Sequence, residues 1–228
     1  MINETEHLST GADFLDQLLN GGYENDILTT IYGPSGAGKT TLCLLPMIRM
    51  AGKGKKIIFI DTEGGFAVER IKQITTHYQE VLHSSIFFRP TSFEEQEQLF
   101  HKLKSFINES IGLIVVDSIS MLYRLELGKR EDIQRINASL GEQVALLMGL
   151  ASNFHIPVLI TNQVYADFNE KDKVSMVGGD LLKYSSKCLI ELKRNNSHRE
   201  LHLRKHRSIA EGKLTDFQIV NEGIKENK

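Results

Sequence analysis

The chain reads as an α/β protein: a mainly parallel sheet flanked by helices, with an antiparallel β extension on its C-terminal side. Three observations predict this. Apolar runs at 27–32, 56–61, 112–118 and 156–161 are short, bounded by turn residues and separated by stretches of helical spacing. That is how buried parallel strands joined by helices look. The first run leads into Gly33-Pro34-Ser35-Gly36-Ala37-Gly38-Lys39-Thr40, with an apolar helix start behind it; strand, loop and helix in that order are the setting of a phosphate-cradling P-loop. From about residue 182 the period changes, and 188–192, 201–204 and 217–220 read as short β segments, the first two joined by turn residues at 195–198.

Taken in order, residues 8–19 open with a turn and continue as a short helix with Phe14, Leu15, Leu18 and Leu19 on one face, stopped by Asn20-Gly21-Gly22. The P-loop strand and helix follow, then a surface turn at 52–55 and the run ending in Asp61. Residues 66–81 have helical spacing and 86–89 suit a strand. Ser92, with Glu95 three residues on, is a capping box that starts a helix to about residue 110. The next strand ends in Asp117; residues 123–132 read as charged and irregular. Ile133, Ile136, Leu140, Val144, Leu147, Ala151 and Phe154 mark a long helix. Residues 165–177 are polar, and Tyr184 is expected in the core.

At 228 residues the chain suits one domain, 1–228, with a sizeable core. A net charge of −2 gives no global pull towards nucleic acid or membrane, so any such affinity needs a local patch. Cys43 and Cys188 lie far apart in apolar segments, which argues against a disulfide scaffold and fits a cytoplasmic protein. The polar, acidic start is no signal peptide, and no apolar run approaches the ~20 residues of a membrane span.

The chemistry is concentrated where the strands end. Glycines let the P-loop backbone turn several N–H groups towards one oxyanion, and the helix N-terminus behind them favours the same charge. Lys39 is placed to reach the β- and γ-phosphates of a nucleotide, and Thr40 to ligand Mg²⁺. Asp117 suits a second Mg²⁺ ligand, the alternative being a strand-end cap. Glu63, just past a strand, suits a base for the attacking water or an ordinary loop acid. Gln163 also follows a strand, a weak signal alone. Lys193, Arg194, Arg199, Arg204, Lys205, Arg207 and Lys213 form the basic pole of the chain, diluted by Glu191, Glu200 and Glu211. That pole suits either a sequence-blind phosphate contact or a solvated face. His198, His202 and His206 recur every four residues but in strand-like sequence, which disfavours a metal site.

Several of these motifs together carry a resemblance. Leu8-Ser9-Thr10-Gly11 before the P-loop, Asp61-Thr62-Glu63-Gly64-Gly65-Phe66 with Val68-Glu69-Arg70 after it, Asp117-Ser118 with Leu122-Tyr123-Arg124, Thr161-Asn162-Gln163-Val164 and Gly178-Gly179 stand in an order that resembles the RecA/RadA recombinase ATPase core. The likeness spans about residues 8–223. It implies a RecA-like fold without the N-terminal helical domain and linker of full recombinases, similar to the short archaeal RadA paralogues. It implies that Gly33, Pro34, Ser35, Gly36, Ala37, Gly38, Lys39, Thr40 and Thr41 cradle ATP, that Arg70 packs on the adenine, and that Thr40 and Asp117 hold Mg²⁺. Glu63 corresponds to the catalytic glutamate and Gln163 to the γ-phosphate sensor. Lys205 and Arg207 correspond to cationic fingers that reach a neighbouring subunit's nucleotide in a homo-oligomer. Residues 123–131 and 164–178 correspond to two DNA-facing loops, so Tyr123, Arg124, Lys171 and Lys173, with Arg194 and Arg204 of the basic pole, are candidate DNA contacts. The activity implied is a weak ATPase assisting a RadA-type recombinase in homologous recombination and DNA repair. The Lys205-His206-Arg207 run is also similar to the KaiC-like branch, which implies instead a regulatory ATPase with no DNA role.

Overall fold

The computed structural model describes residues 6–129, 132–166, 174–195 and 198–227. A short antiparallel pair, β1 (His7–Leu8) and β2 (Tyr23–Glu24), brackets α1 (Asp13–Leu18). Then come β3 (Leu28–Tyr32), α2 (Lys39–Ala51), β4 (Lys56–Asp61), α3 (Val68–Ile74), α4 (Tyr78–His83), β5 (Ser85–Phe88) and α5 (Phe93–Phe106). They are followed by β6 (Ile111–Asp117), α6 (Met121–Gly128), α7 (Ile133–Phe154), β7 (Val158–Asn162), and a hairpin of β8 (Val164–Ala166) and β9 (Val174–Met176). The chain closes with α8 (Gly179–Ser185), β10 (Cys188–Asn195), β11 (His198–Lys205), β12 (Leu214–Val220) and β13 (Gly223–Glu226).

One sheet runs in the order β13-β12-β11-β10-β3-β7-β6-β4-β5. From β10 to β5 every neighbour is parallel; from β10 outwards every pairing is antiparallel. This is the expected RecA-like arrangement. Side chains on the central strands alternate between two cores, as the pleat requires. Ile57, Phe59, Leu113, Val115 and Leu159 face the core under α2. Ile58, Ile60, Ile114, Val116, Val158 and Ile160 face the core under α5 and α7. A sheet buried on both faces explains why these strands are continuous apolar runs.

Several elements differ from the sequence reading. The helix expected over 66–81 is two helices. Thr75 is extended (φ −145°, ψ 142°), and its hydroxyl accepts the His77 N–H at 3.1 Å, a local turn that competes with the helix. Ser92 caps α5 as expected, accepting Glu95 N–H at 3.1 Å, but the Glu95 carboxylate reaches back to Thr91 N–H at 2.7 Å. The helix ends at Phe106, short of residue 110. The segment expected to be irregular after Asp117 is α6, which buries Leu122 and Tyr123. Tyr184, expected inside, is 70% exposed, because the short α8 turns Leu182 inwards instead. The pairs β1–β2, β8–β9 and the final strand β13 had no clear pattern of their own.

Candidate functional site

The site assembles at the carboxyl ends of β3, β4, β6 and β7, where an open α/β sheet places its ligands. The P-loop leaves β3 through Gly33, whose φ is 155° and where a Cβ would stand 2.4 Å from the Leu192 carbonyl oxygen on β10. Gly38 begins α2 at φ 106°, a left-handed conformation that disfavours any side chain. Lys39 is buried, and its Nζ donates to the Gly33 and Pro34 carbonyls at 2.9 and 3.0 Å. Burial holds its ammonium below the ordinary lysine value, opposed by Glu63 and Asp117. Thr40 Oγ1 donates to Asp117 Oδ2 at 2.6 Å, and Thr161 Oγ1 donates to Asp117 Oδ1. Desolvation pushes the Asp117 carboxyl above the usual range, while the two hydroxyls pull the other way.

Asp61 ends β4 two residues before Glu63. Its carboxylate accepts Gly65 N–H at 3.1 Å and Phe66 N–H at 3.2 Å, and so folds the turn that carries Glu63. Glu63 is exposed at the rim, and its Oε1 accepts from Gln163 Nε2 at 2.9 Å. Gln163 Oε1 accepts from Arg124 Nη1 at 3.3 Å. Ala37, expected in the cradle, has its side chain buried in the core beneath the loop. Gly33, Ser35, Gly36, Gly38, Lys39, Thr40 and Thr41 thus line one pocket of about 430 Å³ with Glu63, Gln163, Arg124 and, from β12, Ile219. Its donor set is oxygen-only around Asp117: a buried carboxylate beside the Thr40 hydroxyl. That fits Mg²⁺, which takes one or two carboxylates and leaves its other positions to phosphate and water. Among the described residues no group of three or more His, Cys, Asp and Glu side chains forms an all-protein metal cage.

The outlying candidates fall elsewhere. Arg70 donates to the Val220, Asn221 and Gly223 carbonyls at 2.8, 3.2 and 3.1 Å, clasping the β12–β13 turn. Lys205 donates to the Lys183 carbonyl at 3.0 Å, and Arg207 pairs with the buried Glu24. Both expected fingers are therefore engaged within their own chain. Tyr123 is 6% exposed, packs edge-on against Phe93 and donates to Asn137 Oδ1 at 2.7 Å, so its ring does not face outwards as a base-stacking platform would. Arg124 is exposed on α6 and also lines the pocket. Arg194 lies against the P-loop, 3.1 Å from where a Cβ on Gly36 would stand. Arg204 is tied to Glu191 at 2.5 Å. Lys171 and Lys173 lie outside the described residues.

Four residues near the site had no role of their own in the sequence, although Arg199 stands in the basic pole and Thr161 in the motif that ends at Val164. Thr161 holds Asp117, and Arg199 donates to the Gly36 carbonyl at 3.2 Å. Ile219 walls the pocket, and Tyr165 stands 52% exposed on β8, two residues past Gln163. Tyr165, an aromatic in a polar stretch, and Arg199, within the basic pole, had a local signal; Thr161 and Ile219 depend on which strands become neighbours.

The Rad51 family model matches residues 2–227. The DNA repair and recombination protein RadB of Methanobrevibacter smithii is 40% identical, the alignment covering 97% of each chain. The protein of that name from Methanococcus maripaludis is 43% identical over 92% of this chain and 96% of its own. A crystal structure of the RadB recombinase superposes with a TM-score of 0.81 at 34% identity, covering 97% of this chain and 100% of that one.

Proposed function

Because this chain belongs to the Rad51 family, we propose that it is a nucleotide-controlled accessory of DNA repair and recombination. It binds ATP with Mg²⁺, hydrolyses it slowly and binds DNA without reading sequence, alongside a RadA-type recombinase. The observation that carries this reading is the convergence of Lys39, Thr40, Glu63 and Gln163 on one pocket at the sheet's carboxyl edge, with the buried Asp117 bonded behind Thr40. Lys39 exchanges the Gly33 and Pro34 carbonyls for the phosphates. Thr40 and Asp117 would hold Mg²⁺, which when bound neutralises charge on the phosphate oxygens. Glu63 orients the attacking water and takes its proton. Gln163 lies between Glu63 and the start of β8, so the phosphate's presence is felt at the hairpin beyond it.

The DNA surface is the β8–β9 hairpin. Tyr165 supplies an exposed ring there, and Lys171 and Lys173 follow it in sequence. The RadB relatives align over nearly the whole chain, which favours this reading over a KaiC-like regulator. The test is a single-strand DNA titration against salt, with and without ATP. Affinity should fall with salt and respond to ATP. Tyr165→Ala should weaken it by roughly 1–3 kcal/mol, the worth of one stacked base. Affinity that is negligible at low salt and blind to ATP would sink the DNA role.

A further inference from the structure

Arg124 lines the pocket on the side of Glu63 and Gln163. It sits on the first turns of α6, a helix that divides its faces sharply. Leu122 and Tyr123 are buried in the core, while Met121 and Arg124, three residues apart, face Gln163: Met121 Sδ is 3.5 Å from Gln163 Nε2 and Arg124 Nη1 is 3.3 Å from Gln163 Oε1. Gln163 is further tied to the start of this helix through its backbone N–H, which donates to Ser120 Oγ at 3.3 Å.

The chemistry of this chain of contacts has a direction. A guanidinium only donates, a carboxylate only accepts, and a carboxamide can do either depending on which way it is turned. With Arg124 on one side, the Gln163 carbonyl must face the arginine, and the NH₂ is then delivered to Glu63 at 2.9 Å. Turned over, the amide would set its NH₂ against the guanidinium and its oxygen against the carboxylate, two repulsive contacts for two attractive ones. We propose that Arg124 is a positioning residue for ATP hydrolysis: it fixes the polarity of the Gln163 amide, and through it the aim of the Glu63 carboxylate at the attacking water. Gln163 occupies Glu63 Oε1, and Oε2 is the oxygen that takes the water's proton.

This rests on the ATPase reading above, and the experiment separates the two. Turnover, KM and ATP affinity are measured for the wild type, Arg124→Ala, Arg124→Lys, Gln163→Ala and the Arg124→Ala/Gln163→Ala double variant, with Lys39→Ala as the blank. Arg124→Ala should lower kcat by about tenfold, a share of what a well-placed base supplies, with ATP affinity unchanged. Arg124→Lys, which restores a donor, should recover part of the loss. On the Gln163→Ala background the arginine should no longer matter, since its effect passes through the amide. An equal further loss there would make Arg124 a direct phosphate contact and overturn the proposal. So would a loss of DNA affinity at unchanged kcat. A readout independent of turnover is the Gln163 side-chain NH₂ signal in ¹⁵N spectra, identified by its disappearance in Gln163→Ala. It should move in Arg124→Ala, and an unmoved signal overturns the proposal. A wild type no faster than Lys39→Ala, with that signal still moving, would leave the contact standing and bring down the ATPase reading instead.

Discussion

Asp117 is a carboxylate 2% exposed between two threonine hydroxyls, so its charge is costly until a cation arrives. Desolvation raises its folded-state pKa above the ordinary 3.8. Between those two values the folded chain binds more protons than the unfolded one. Stability therefore declines as pH rises through that window and stays lower at neutral pH. Asp117→Asn should raise the melting temperature of the nucleotide-free protein by about 2–4 °C while abolishing Mg²⁺-dependent ATP binding. Calorimetry of both forms, with and without Mg²⁺·ATP, checks this. His206 works in the opposite sense. Burial dominates over the nearby Glu24 and holds its pKa below 6.5. The unfolded chain then takes up a proton that the folded one refuses, and stability falls as pH drops below 6.5. Urea midpoints at about pH 7.5 and 5.5 should differ, and His206→Gln should flatten that difference. At this scale Lys39, Thr40 and Asp117 were legible because the chemistry of a phosphate cradle fixes residue type and spacing together. Tyr123 and Tyr184 were not, since a short helix with apolar residues on several sides does not announce which of them turns inwards.

Among the elements, β11 carries the sharpest departure from the resemblance. Its end and the residues after it place Lys205 on the Lys183 carbonyl and Arg207 on Glu24, which also accepts from Ser208 Oγ at 3.0 Å. Arg207→Ala leaves a buried carboxylate short of its cation. Because the arginine side chain is itself 36% exposed, the loss should be about 1–3 kcal/mol, below that of a fully buried pair. Glu24→Gln in the same background should recover most of it by denaturant titration. If Arg207→Ala instead lowers turnover at unchanged stability, the arginine serves a neighbouring subunit's nucleotide after all. Long elements such as α7 and the central strands could be read because many residues repeat one period. The break between α3 and α4 turns on a single threonine hydroxyl, and β13 on four residues; signals that small are lost in ordinary sequence variation.

Across the whole molecule, the pocket is closed by a segment far from it in sequence. Ile219 on β12 walls the site, and the β12–β13 turn is held by Arg70. Arg70→Ala should loosen this hairpin, so that limited proteolysis of the nucleotide-free protein cuts within 214–227 faster than in the wild type, and ATP affinity falls. Unchanged proteolysis with weakened ATP binding would point to adenine stacking as the arginine's whole role. The P-loop strand β3 has β7 on one side and β10 on the other. The order of synthesis follows from that. A ribosome making this chain delivers Lys39 early, but the two strands that wedge β3 in place, and the isoleucine that walls the pocket, emerge much later. A nascent chain halted before residue 188 would hold every letter of the phosphate-binding motif and still have no finished place to put a nucleotide.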